Sequence, residues 1–147
     1  MDPLVKKAKE FAEKAHKGQI RLNGKPFMLH PEAVAEQVIA PFLKAAAYLH
    51  DVVEDTNYTV GDLLKEGFPE EVCEIVGILT KGKDERYLDY ILRVKENHRA
   101  RQIKLADLAH NLSDLRKGSL RDKYELTEHL LRLYNTIDDM EDEWDRT

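Results

Sequence analysis

Apolar residues recur at intervals of three and four along most of the chain, and that spacing predicts helices. Leu4, Ala8, Phe11, Ala12 and Ala15 form the first stripe, with Gly18 as its C-terminal stop. A loop from Gln19 to His30 contains Asn23-Gly24 and Pro26. Pro31 suits the first turn of the next helix, whose apolar positions are Ala33, Val34, Val38 and Ile39. Pro41 separates it from an apolar helix running from Phe42 to about Val53. Thr59 and Asp62 make a capping-box start for a short helix, Val60 to Glu66. Gly67-Phe68-Pro69 opens another helix through Leu79, and Lys81-Gly82-Lys83 makes a turn. Further helices are expected at about Arg86–Asn97, Ala100–Leu115 and Lys123–Trp144. Nowhere do four residues alternate as a strand requires. The pattern predicts an all-α bundle of about seven or eight helices, folded as a single domain over residues 1–147.

Composition narrows this picture. Charged residues are 35% of the chain and hydrophobic ones 42%, with 7 Gly and 5 Pro, a balance that fits a helical globule and excludes a fibrous or disordered chain. The formal net charge of −5 disfavours nucleic acid as a partner, and the signs are mixed along the chain, as on solvated helix faces. No apolar run reaches the roughly 20 residues that span a bilayer, so no membrane partner is expected. Met1 to Lys7 lacks a signal-peptide apolar region, and one cysteine, Cys73, makes no internal disulfide; a cytoplasmic location is expected. Cys73 falls in a helical apolar pattern with Val72, Ile75 and Val76 and reads as a core residue.

The chemistry concentrates in Leu49-His50-Asp51-Val52-Val53-Glu54-Asp55-Thr56. On a helix, His50, Asp51, Glu54 and Asp55 fall within about 140° of arc and share one face. The run Ala45 to Leu49 before them is too apolar for a surface. Three carboxylates on a helix that enters buried are costly unless a positive group compensates them, and a divalent cation does so directly. His50 and Asp51 alone are too few ligands. His30 stands at a loop-to-helix junction before Pro31, and Asp107 lies among apolar residues in Ile103-Lys104-Leu105-Ala106-Asp107-Leu108-Ala109-His110-Asn111-Leu112. Asp107, Asn111 and Asp114 fall within about 60° of one another and form a polar stripe on that helix. Two imidazoles and two carboxylates make a mixed nitrogen–oxygen site that suits Mn, Fe, Co or Zn. Glu54 and Asp55, one turn beyond, can orient a nucleophilic water or move its proton.

Four segments also carry a family resemblance: His16-Lys17-Gly18-Gln19-Ile20-Arg21, Pro26-Phe27-Met28-Leu29-His30-Pro31, Leu49 to Thr56, and Ile103 to Asp107. In this order they resemble the hydrolase domain of the bifunctional alarmone synthetase–hydrolases and of their small stand-alone relatives of the animal SpoT homologue type. The resemblance implies an HD-type helical bundle with His30, His50, Asp51 and Asp107 as ligands of a divalent metal, usually manganese. It implies that Glu54 and Asp55 act on the water, that Arg21 packs on guanine, and that Asn111 contacts substrate. The activity it implies is metal-dependent removal of the 3′-pyrophosphate of (p)ppGpp, the nucleotide of the stringent response. Leu22 stands where the family often has a lysine, Phe27 where tyrosine is common, and Ser113 where an arginine often follows the asparagine.

Lys104, Lys25 and Lys81 are further candidates for phosphate contacts, and His16 either contacts substrate or caps the first helix. His110 flanks Asn111 and is a candidate to line the pocket; His98 and His129 lie in charged surroundings and read as surface residues. The stripe Leu126, Leu130, Leu133, Tyr134, Ile137 and Met140 is core or a homodimer contact. Two other functions compete with the alarmone hydrolase. One is an HD phosphatase for another nucleotide, a nucleoside monophosphate or an NADPH-like dinucleotide. The other is a nucleotide sensor without catalysis, which would have no need of Glu54 and Asp55.

Overall fold

The centre of the molecule is a run of small side chains. Ala45, Ala46 and Ala47, followed by Tyr48 and Leu49, are buried in helix α3 (Pro41–Leu49). Their size lets α1 (Pro3–Ala15) press Val5, Ala8, Phe11 and Ala12 against α3. Helices α2 (Leu29–Glu36), α6 (Glu70–Leu79) and α8 (His98–Ser113) pack on other sides of α3. The remaining segments are α4 (Val52–Asp55), α5 (Val60–Lys65), α7 (Tyr87–Lys95) and α9 (Ser119–Arg132). This computed structural model describes residues 1–115 and 117–133.

Local chemistry explains most helix ends. The Asp2 carboxylate accepts from the Leu4 and Val5 amides and Pro3 opens α1, while Gly18 beyond its end adopts φ +83°. The capping box of Thr59 and Asp62 forms in both directions at α5. Asn97 caps α8 by accepting from the Ala100 amide at 2.9 Å. Cys73 is buried in the α6 core face, as expected.

Nine helical segments are found among the described residues, and the extra one comes from a break. The apolar helix expected through Val53 stops at Leu49, and α4 restarts at Val52; Asp51 between them has φ −102° and ψ −2°. The second helix ends at Glu36, short of its expected apolar positions: Val38 still reaches the core, but Ile39 is 91% exposed. The reason lies at Pro41, which holds Ala40 in an extended conformation and forces a non-helical approach to α3. The helix expected from Lys123 starts earlier, at Ser119, and residues 134–147, with Tyr134, Ile137 and Met140 of the expected stripe, lie outside the described residues. Of that stripe, Leu126 and Leu133 are exposed, and α9 buries Thr127 and Leu131 instead. No described helix is long and apolar enough to cross a membrane.

Between α1 and α2, Ile20 and Pro26 form an isolated antiparallel bridge, and the Arg21 amide donates to the Lys25 carbonyl at 2.8 Å. Gly24, at φ +82°, turns this loop back on itself. The loop is thereby fixed close to the C-terminal part of α8.

Candidate metal centre

The break between α3 and α4 shapes the site. His50 closes α3 and is buried; its Nδ1 donates to the Ala47 carbonyl at 2.6 Å. Its Nε2 is therefore the nitrogen left for another partner, aimed away from its own helix. Because the chain turns at Asp51, the Asp51 Oδ2 comes back to 3.0 Å from that Nε2. Asp107, buried in the middle of α8, brings Oδ1 to 3.4 Å from His50 Nε2 and 2.6 Å from His30 Nε2. His30, in the first turn of α2, lies with Nε2 3.7 Å from Asp51 Oδ2. One ligand atom from each of the four residues lies within 4.8 Å of the others.

Whether these residues fit a cation can be judged from His50. Its buried Nε2 has no hydrogen-bond partner, although two carboxylate oxygens stand close by. A buried, unpartnered imidazole nitrogen facing two carboxylates becomes a donor set for a borderline divalent metal once the metal replaces its proton. The other oxygen of Asp107 is held by Lys104 Nζ at 2.9 Å, and Asn111 Nδ2 donates to Oδ1 at 3.2 Å. Burial opposes charge on His50, but Asp51 and Asp107 outweigh it and hold its pKa well above the ordinary value. Burial likewise opposes charge on Asp107, and Lys104 with the two histidines holds its carboxyl well below the usual range.

Glu54 and Asp55 follow one turn later, both exposed at the surface of the cluster. Glu54 Oε1 accepts the Lys81 backbone N–H, so Lys81 acts here through its main chain rather than its ammonium. Burial, then the charges of Asp51 and Glu54, push the Asp55 carboxyl up to about 6. Burial also raises Glu54.

A cavity of about 370 Å³ opens beside the cluster, lined among others by Arg21, Phe27, Glu54, Lys104 and Asn111. Arg21 is pinned by Asn111 Oδ1 at 3.2 Å and Asp114 Oδ2 at 3.3 Å. Leu22 stands at the rim, 96% exposed. His16 is not among the lining residues; only 2% exposed, it closes α1, donates from Nδ1 to Gln19 Oε1 and packs on the Phe27 ring. Lys25 is exposed on the loop and is not among the lining residues. His98 and His129 are exposed, as expected. Gln19, which had no expected role, and His110, expected at the pocket but not among its lining residues, prove to be connectors. Gln19 donates to the Asp55 carbonyl at 3.1 Å, and His110 Nδ1 lies 2.8 Å from His30 Nδ1.

No family model matches the chain. A guanosine-3′,5′-bis(diphosphate) 3′-pyrophosphohydrolase of Haemophilus influenzae is 40% identical over 126 residues, 76% of this chain and 18% of that protein. The bifunctional (p)ppGpp synthase/hydrolase SpoT of Escherichia coli K12 is 32% identical over 150 residues, 90% of this chain and 21% of that protein. The chain thus spans about a fifth of the length of these curated relatives. Among solved structures, a metazoan SpoT orthologue described as hydrolysing ppGpp superposes with a TM-score of 0.72 at 26% identity, covering 89% of this chain and 84% of that one. By sequence and by fold, the chain resembles an HD-type hydrolase domain like that of SpoT.

Proposed function

We propose that this chain removes the 3′-pyrophosphate of a (p)ppGpp-type guanine nucleotide, with a divalent cation, natively manganese, held by His30, His50, Asp51 and Asp107. The observation that carries this reading is the convergence of those four side chains from three parts of the chain, beside a cavity of ligand size. A cation there supplies a Lewis acid for phosphoryl oxygens and lowers the pKa of a water. The remaining work falls to the chain. Glu54 has one oxygen anchored on the Lys81 amide, which leaves the other free to take the proton of the attacking water. Asp55, with a carboxyl that titrates near neutral pH, orients the water and can hold its proton. The bond from the ribose 3′ oxygen to phosphorus breaks and that oxygen takes up the proton drawn from the water, the water oxygen bonds to that phosphorus, and pyrophosphate leaves GDP or GTP behind.

Arg21, fixed by Asn111 and Asp114, presents a planar cation for the purine face. Lys104 keeps Asp107 in place and offers its remaining ammonium protons to phosphate from the cavity wall. Asn111 acts on both sides, through Arg21 and through Asp107. His16 supports the wall behind Phe27. We place the protein in the cytoplasm, where the buried Cys73 stays reduced.

One observation favours testing a second substrate class. Leu22 puts an apolar side chain at the cavity rim, where related domains often carry a lysine. The experiment is release of pyrophosphate and of phosphate from ppGpp, pppGpp, a nucleoside monophosphate and NADPH, with manganese and with chelator. Pyrophosphate from ppGpp and pppGpp, only with manganese, is expected. Phosphate from the other two with nothing from the alarmones moves the assignment to a nucleotide phosphatase. Binding with no release from any nucleotide makes the chain a sensor.

A further inference from the structure

His110 belongs neither to the four-residue cluster nor to the residues lining the cavity, yet it touches a residue of each. His30 turns Nε2 toward Asp107 and Asp51, and its opposite nitrogen, Nδ1, meets His110 Nδ1 at 2.8 Å. The two ring planes lie within 27° of each other, so the lone pair of one ring can lie close to the plane of the other. A contact of that length between two ring nitrogens requires one N–H and one lone pair.

One observation and one consequence of the proposed ligand set give the same direction for the bond. Arg21 Nη1 stands 3.4 Å from His110 Nδ1, and a guanidinium only donates, so the nitrogen it faces is the unprotonated one. In the metal-free protein His30 Nε2–H donates to Asp107 Oδ1 at 2.6 Å; a cation held at Nε2 would take the place of that proton, and the ring's proton would then sit on Nδ1. Both make His30 the donor and His110 the acceptor, with the His110 proton on Nε2.

We infer that His110 is a positioning residue for the metal centre: it fixes the ring and tautomer of His30 and ties that setting to Arg21 at the cavity. This rests on the ligand set proposed above. Partners of this kind on a ligating histidine are worth about 10–100-fold in metal affinity. α8 then supplies both a ligand, Asp107, and, one turn later, the residue that orients a second ligand from α2.

The test is manganese binding to the metal-stripped chain, by competition with a fluorescent chelator, in the wild type, His110→Leu and His110→Asn. The Leu variant removes the acceptor, and the Asn variant places Oδ1 near the position of the lost Nδ1. His110→Leu should raise the Kd about 10–100-fold with little change in the melting temperature of the metal-free protein. His110→Asn should recover most of that loss. Equal affinity in wild type and His110→Leu overturns the inference, and so does an equal loss in both variants, which would mean packing and not the hydrogen bond. A wild type that takes up no manganese overturns the ligand set itself, a separate failure. If His110→Leu does not fold, long-range ¹H–¹⁵N spectra of the zinc-loaded wild type decide. His110 unprotonated at Nδ1 and protonated at Nε2 supports the assignment, and a His110 protonated at Nδ1 overturns it.

Discussion

Two groups of opposite charges in this molecule have similar distances and different surroundings. In the His30–His50–Asp51–Asp107 cluster, burial is the largest influence on His50, Asp51 and Asp107, and it opposes their charge. In the clamp of Glu85 on Arg93, with two contacts of 3.0 Å, the largest influence on Glu85 is the hydrogen bond itself. The cluster keeps its charges against the cost of desolvation because they are paired with one another and with Lys104. The clamp has water for company and serves a turn: Arg93 also donates to the Ile78 and Thr80 carbonyls, and Glu85 accepts from the Gly82 amide. Removing one charge should therefore be severe in the first group and slight in the second.

The largest effect is expected at Asp107. Asp107→Ala removes a ligand and leaves Lys104, whose side chain is 14% exposed, without its counter-charge. The variant should take up no metal by elemental analysis, show no turnover, and lose about 3–5 kcal/mol of stability in denaturant titration. Full metal occupancy would remove Asp107 from the ligands. Next come the two carboxylates at the cluster's surface. Glu54→Gln and Asp55→Asn, assayed separately at saturating manganese, should each keep metal and nucleotide binding and lower kcat by roughly 10²–10⁴. Normal turnover in both would favour the sensor.

The four clustered residues were legible because His and Asp at helix positions among apolar neighbours have few other reasons to be there. The helical fold was legible from spacing alone. The break between α3 and α4 was not, since Ala45 to Val53 contains no Gly or Pro; the cluster's demands on Asp51 override local preference there. The exposure of Ile39 was hidden for a related reason, because apolar periodicity carries past Glu36 while Pro41 dictates the backbone. Lys104 was read as facing phosphate, and its i,i+3 spacing on α8 turns it to Asp107 as well. The role of His110 depends on a partner 80 residues away, beyond any local signal.

Arg21 lies between the two extremes, with a side chain 12% exposed and paired to Asp114 at 31%. Its contribution should be intermediate and should fall on binding. Arg21→Ala removes a cation that meets the purine similarly before and during reaction, so KM should rise by about tenfold while kcat changes less. Steady-state kinetics on the nucleotide that proves to be the substrate checks this. A fall in kcat with an unchanged KM would place Arg21 at the reacting phosphate instead.

The smallest effect is expected at the clamp, and pH gives its signature. Hydrogen bonds from Arg93 and from the Gly82 amide hold the Glu85 carboxyl at about 2, below the ordinary 4.5 of an unfolded chain. A group whose pKa is depressed on folding stabilises the folded form fully above its unfolded value, and the contribution disappears as pH falls toward the folded value. Glu85→Gln copies the protonated side chain at every pH. The melting temperature of wild type should therefore exceed that of Glu85→Gln by a small, steady margin above about pH 5, and the margin should shrink below about 4.5 and close near 2. Added salt should narrow it somewhat at neutral pH, because the pair is half-buried and only partly screened. Because the clamp steadies the turn whose Lys81 amide holds Glu54, a slight loss of kcat should accompany the substitution at neutral pH. A margin as large as that at Asp107, or one that grows on acidification, would mean that the two groups of charges do not differ as their surroundings require.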